Sequence, residues 1–229
     1  MQQHIGNEYL KSLKDSFPVV AGYFTVSFVF GISCVNLGLP VWFPILMSLF
    51  VYAGAAQFSF LILFSTGASI STIIITTFLI NLRHMLMSIY ISNVFDKLQI
   101  KRKFRWLYGY GLTDESFAFH SVLGDKSLSH KYFLSFNFFC HSSWVLGSLF
   151  GAWLTTETQA SDLVNLQYAL TAMMIYVLVL LSTNIIKTIV ALISIISMII
   201  LSLIYESHFN IFIATFIGTG AGVWLKKKV

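Results

Sequence analysis

Residues Ser69 to Val94 read SISTIIITTFLINLRHMLMSIYISNV. A membrane-crossing helix takes about 20 predominantly apolar residues, and this run is long enough, yet Asn81, Arg83 and His84 fall in its middle. Ionisable side chains at membrane depth are costly and face a protein interior or a water-filled cavity, often on a transport route. The stretch therefore predicts a membrane helix with a functional face.

The rest of the chain agrees with that class. Of 229 residues, 57% are hydrophobic and 10% charged, with 22 Phe and a mean hydropathy of +0.80. A soluble domain carries about a quarter charged residues, so the composition indicates an all-α, polytopic membrane helix bundle. The apolar runs are Phe17–Leu37, Val41–Phe64, Ser69–Val94, Tyr132–Leu154, Leu166–Thr183, Ile186–Tyr205 and Phe209–Leu225. An eighth, Trp106–Leu123, carries Asp114 and Glu115 near its middle and either spans, lies across the interface, or dips in and returns. Seven to eight segments forming one transmembrane domain over residues 1–229 are expected. The first run is too long for a signal peptide and lacks a small-residue cleavage site, so it reads as a retained helix.

The net charge of +5 does not point to nucleic acid, because the basic residues sit in short loops and at the tail. Lys101–Lys103 with Arg105, and Lys226–Lys228, read as cytoplasmic flanks under the positive-inside rule. Counting back from a cytoplasmic C-terminus puts Glu206 outside, Lys187 inside, the Glu157/Asp162 loop outside and the Asp125–Lys131 loop inside. Further back the rule conflicts with itself: either Lys97–Arg105 or Lys11 and Lys14 lie outside, the sum favouring Lys97–Arg105 inside, unless a discontinuous segment elsewhere reconciles the two. The two cysteines, Cys34 and Cys140, form no ligand cluster and read as buried, inert thiols.

Four features carry chemistry. In the second run, Tyr52-Ala53-Gly54-Ala55-Ala56-Gln57 interrupts a Phe/Leu/Ile-rich sequence. It is either a broken helix lining a cavity or a close packing point. Thr77, Asn81, His84, Ser88 and Ser92 share a helical stripe about 80° wide and roughly 22 Å long. Arg83 stands on its flank and needs a carboxylate partner or the same cavity. Asn137, His141, Trp144 and Ser148 form a second stripe, in which His141 either handles protons or is a hydrogen-bonded core residue. Leu112-Thr113-Asp114-Glu115-Ser116-Phe117-Ala118 places two acids in an apolar setting. One acid is a candidate partner for Arg83, while a helix cap at Thr113 or Asp114 is the plainer alternative. Small residues at four-residue spacing, Ser143/Gly147/Gly151 and Ala214/Gly218/Gly222, read as close helix contacts.

No zinc motif, nucleophile elbow, paired-cysteine metal site or ATP-binding loop is visible. No enzyme activity, metal or cofactor is expected. An intramembrane hydrolase built on His84, His141 and Asp114 lacks a nucleophile.

The motifs YAGAAQF (Tyr52–Phe58), NLRHMLMS (Asn81–Ser88) and LTDESFA (Leu112–Ala118), in this order and at about these spacings, resemble the AzlC family. Members of that family are the large subunits of bacterial branched-chain amino acid exporters. After about Thr155 the likeness is one of hydropathy more than of motif. The resemblance implies a secondary transporter of the bacterial inner membrane that works with a small AzlD-type membrane subunit. A zwitterionic substrate needs a cation or helix N-terminus for its carboxylate, an acceptor for its ammonium and an apolar pocket for its side chain. Gly54, Gln57, Asn81, Arg83, His84 and Ser88 are the candidate substrate or translocation residues, and Asp114, Glu115 and His141 the candidates for proton coupling or ion pairing. A channel or a non-transporting scaffold in contact with the bilayer is the alternative.

Overall fold

The computed structural model describes residues 2–97, 99–123, 129–158, 175, 178–179, 182, 184–205 and 210–228. Among these the regular structure is helical throughout, as expected for a membrane bundle. The chain divides into two compact units, Met1–Met174 and Ile175–Val229, and each is described by itself.

In the first unit α1 (Gln2–Asn36) and α7 (His130–Thr158) form the central pair, joined by α2 (Trp42–Phe50), α3 (Gly54–Ser65), α4 (Ile70–Lys97), α5 (Arg105–Tyr110) and α6 (Asp114–Leu123). Within lipid, apolar burial does not drive helices together, so small residues that admit close backbone approach do much of the work. The expected Ser143/Gly147/Gly151 row meets this need. Ser143 Oγ donates to the Val20 carbonyl at 2.7 Å, and a methyl group at Gly151 would collide with the Phe28 carbonyl oxygen on α1. Tyr23, Tyr52, Phe136, Cys140 and Trp144 fill the resulting core. Cys34 and Cys140 are both free and buried.

Two of the apolar runs are interrupted. Val41–Phe64 forms α2 and α3, separated at Val51–Ala53, where Tyr52 takes φ 34° and Ala53 is extended at φ −141° and ψ 92°. Trp106–Leu123 forms α5 and α6, separated at Gly111–Thr113. It is thus two short helices, in place of one continuous segment.

Three described stretches are long and apolar enough to cross a membrane: Glu8–Asn36, Ile70–Asp96 and Ile185–Ile204. The 29-residue α7 has the length but carries the polar row Asn137, His141 and Ser148. In the second unit α8 (Ile185–Ile204) and α9 (Asn210–Lys228) run antiparallel, with Gly218 against Ser194 and Gly222 against Val190. The second small-residue row is thus also a helix contact. The Asn184 side chain caps α8 by accepting from the Lys187 amide at 3.0 Å. The expected run Leu166–Thr183 lies largely outside the described residues, as do Asp162, Glu206 and the loop from Asp125 to Leu128.

Candidate functional site

The first turn of α6 is built from its own sequence. Thr113 Oγ1 accepts from the Ser116 amide at 3.2 Å, and Ser116 Oγ accepts from the Thr113 amide at 2.9 Å. This reciprocal cap satisfies two donors that a helix start otherwise leaves free. It also puts Asp114 and Glu115 in the first turn, where the helix dipole favours negative charge. The capping alternative for Thr113 is therefore correct, and it coexists with the acids' exposure to a common space.

Glu115 is 3% exposed. Its Oε2 accepts from the Tyr23 hydroxyl at 2.6 Å, and the same hydroxyl makes a short hydrogen bond with Thr113 Oγ1. Its Oε1 is buried without a hydrogen-bond partner among the described residues. A buried polar atom in that state is rare in a folded protein and calls for an explanation.

The start of α3 is built differently. Its N-cap is Ala53, which offers no side-chain cap, so the first backbone N–H groups of α3 are left to whatever occupies the space in front of them. The break that creates this end holds Tyr52 in the left-handed region, a conformation that costs about 1–3 kcal/mol in a residue other than glycine. Aromatic neighbours hold it there: the Tyr52 ring lies 4.5 Å from His141 and 6.4 Å from Trp144, centroid to centroid. Trp144 presses its indole on Gly54, where an added Cβ would stand 2.7 Å from the ring. Gln57, fully buried, accepts from Trp144 Nε1 at 2.9 Å and so sets the plane of that indole.

The lower end of the break is closed as well. His141 Nε2 lies 3.2 Å from the Ser48 carbonyl, and the Tyr110 hydroxyl donates to the Leu49 carbonyl. Both carbonyls belong to the last turn of α2, whose oxygens have no intrahelical partner. His141 thus acts as a cap on a broken helix.

α4 supplies the cation. Arg83 Nη1 pairs with Asp114 Oδ2 at 2.8 Å, with the two side chains 33% and 22% exposed. His84 Nδ1 lies 3.3 Å from the Asn81 carbonyl of its own helix. These parts surround a cavity of about 20 Å³, lined by Gly54, Arg83, His84, Asp114 and Glu115 together with Tyr23, Tyr52 and Trp144.

Of the nine residues singled out from the sequence, five line this cavity. Gln57 and His141 stand behind it and hold its walls. Asn81 is half-buried on α4 with its Oδ1 unpartnered among the described residues, and Ser88 is exposed. The buried side of the second half of α4 is the four-residue row Met87, Ile91 and Phe95, which continues upward to Arg83. The polar stripe does not run on as a lining. Tyr23 was not singled out from the sequence, and Trp144 stood only as a member of the second stripe. The available signal was chemical: a Tyr or Trp inside an apolar run needs a partner for its O–H or N–H.

The profile of the AzlC protein family matches residues 18–157. The chain belongs to the AzlC family. The matched residues include all three motifs and both helix breaks, so they hold every residue around the cavity. Among its relatives, an uncharacterized membrane protein of Helicobacter pylori is 34% identical over 74% of this chain and 75% of its own. Inner membrane protein YgaZ of Escherichia coli is 31% identical over 63% of this chain and 60% of its own. The branched-chain amino acid transport protein AzlC of Bacillus subtilis is 24% identical over 65% of this chain and 60% of its own. No solved structure matches the chain.

Proposed function

We propose that this protein is a secondary transporter exporting branched-chain and other apolar amino acids across the bacterial inner membrane. It would be coupled to protons, carry its C-terminus in the cytoplasm and work with a small AzlD-type subunit. The observation that carries this reading is the meeting of two helix starts, at Gly54 and Asp114, on one cavity of a helix bundle. Interrupted helices at membrane depth are tolerated where they line a cavity, and their N-termini suit anionic substrate groups. The name of the Bacillus subtilis relative supports the substrate class, and Lys226–Lys228 support the orientation.

At about 20 Å³ the cavity is far below the roughly 300 Å³ at which ligand pockets begin. It has room for about one water-sized group, so passage of an amino acid requires the cavity to widen. The breaks at Val51–Ala53 and Gly111–Thr113 are natural hinges for opening, because helical hydrogen bonds already end there. Asp114, Glu115 and His84 are the groups available for proton coupling.

The test is counterflow of valine or isoleucine in proteoliposomes, made with and without the small subunit. Saturable exchange is expected in at least one preparation. Its absence from both, for every apolar amino acid tried, would remove the transporter reading, and conductance without saturation would indicate a channel.

A further inference from the structure

Tyr23, Tyr52 and Trp144 meet around the cavity in mutually edge-on pairs. Their ring centroids are 5.1 Å (Tyr23–Trp144), 6.3 Å (Tyr23–Tyr52) and 6.4 Å (Tyr52–Trp144) apart, with interplanar angles of 81°, 78° and 75°. In edge-to-face contact at these distances the rings leave no gap among themselves and form one aromatic wall of the cavity. All three side chains line the same cavity as Glu115, and all are buried.

Three independent observations say what this space lacks. Glu115 Oε1 is buried with no hydrogen-bond partner among the described residues, as are the Tyr52 hydroxyl and Arg83 Nε on the same cavity wall. The cavity wall carries two carboxylates, Asp114 and Glu115, against one guanidinium, and Arg83 is engaged by Asp114. The volume of about 20 Å³ suits one small polar group and no more. A donor-rich, water-sized cation answers all three.

We propose that Tyr23, Tyr52, Trp144 and Glu115 form a subsite for the primary ammonium group of the transported substrate, with Glu115 Oε1 as its carboxylate acceptor. The assignment rests on the transporter reading above and makes it specific: Asp114 is committed to Arg83, and Glu115 alone is left for the ligand. The uncapped α3 N-terminus borders the same space, and with Arg83 Nη1 held by Asp114 a carboxylate on the same molecule meets the Gly54–Ala55 amides and the unpaired Arg83 Nε. Trp144 is a wall of the subsite, and Gln57 is a positioning residue that acts through the indole.

The experiment uses the purified full chain, three probes of closely related shape, L-valine, 2-hydroxyisovalerate (a hydroxyl in place of the ammonium) and isobutylamine (no carboxylate), and sodium ion as an inorganic cation. Thermal stabilisation reads binding, and inhibition of valine counterflow reads the transport site. Valine and isobutylamine are expected to stabilise the protein, with 2-hydroxyisovalerate weaker by about tenfold or more, as loss of a charge-assisted hydrogen bond requires. Glu115→Gln should weaken both ammonium probes by a similar factor, and Tyr52→Leu by less. Equal binding of valine and its hydroxy analogue to the natural chain overturns the subsite without recourse to any variant. Displacement of the amine by millimolar sodium would also overturn it, making the space an inorganic cation site. Amine binding that depends on Glu115 in a protein that exchanges no amino acid would keep the subsite and remove the transporter reading. Exchange that is indifferent to Glu115→Gln would do the reverse.

Discussion

The starts of α3 and α6 open on one cavity and are made in opposite ways. α6 is capped by Thr113 and Ser116 and adds two acids of its own, so its positive end is satisfied from within. α3 starts at Ala53-Gly54-Ala55 with no side-chain cap, and its exposed amides are neutralised by nothing in its own sequence. One end offers carboxylates to the cavity and the other offers backbone donors. A zwitterion is complementary to that pair of ends, whereas an inorganic ion of either sign is complementary to only one. The difference also shows where specificity resides: a capped helix start is a structural element, and an uncapped one buried beside a cavity is an incomplete site.

The strongest way to break the contrast is to leave the acidic end without its cation. Arg83→Ala should abolish counterflow. Removing one partner of a fully buried pair costs about 3–5 kcal/mol, and the loss for this partly exposed pair should be smaller. Combining it with Asp114→Asn should recover most of that stability, read as a thermal midpoint in detergent, while transport stays lost. Full transport in the single variant would mean that the ion pair is structural alone. The next effect belongs to the other end. Gly54→Ala drives a methyl group against Trp144 at 2.7 Å and covers the α3 amides, with an overpacking cost of about 1–3 kcal/mol. Valine exchange should fall by about tenfold or more. Unchanged exchange would show that the α3 start takes no part in binding.

Much of this arrangement was legible in the residues. A Gly/Ala-rich patch ending in Gln57 marked the first break, and two adjacent acids beside Thr113 marked the second. Arg83 in an apolar run demanded a carboxylate, and Asp114 was one of only two acids placed at comparable depth. The allocation between Asp114 and Glu115 was not legible, because both sit in the first turn and the choice depends on which neighbour each one meets across the bundle. The aromatic walls were hidden for a related reason. Tyr23 lies on α1 and Trp144 on α7, and nothing local in either run says that the two rings meet Tyr52. The stripe on α4 misled in its lower half, since Met87 and Ile91 stand one residue, about 100°, from Ser88 and Ser92, and it is their face that the bundle buries.

Thr113→Val tests the self-contained character of the α6 start. It keeps the side chain's shape and removes the oxygen that accepts from the Ser116 amide and bonds Tyr23. Loss of an N-cap costs about 1 kcal/mol, and stranding the Tyr23 hydroxyl on Glu115 alone adds to it. A thermal midpoint lowered by several degrees, with exchange reduced less than in Gly54→Ala, is the expected result. A larger loss of exchange than of stability would move Thr113 from the frame of the site to its lining.

Ser88→Ala should do least. From periodicity Ser88 shares a face with Asn81 and His84, and a pore lined by that whole face would feel its loss. In the structure the side chain is exposed and the buried row runs through Met87 and Ile91. A substitution away from any packed or bonded feature changes stability by no more than about 0.5 kcal/mol, so both the thermal midpoint and the counterflow rate should match those of the natural chain. A clear drop in exchange at unchanged stability would place Ser88 on the path of the substrate. The polar face of α4, and not the junction of the two helix starts, would then be the route through the membrane.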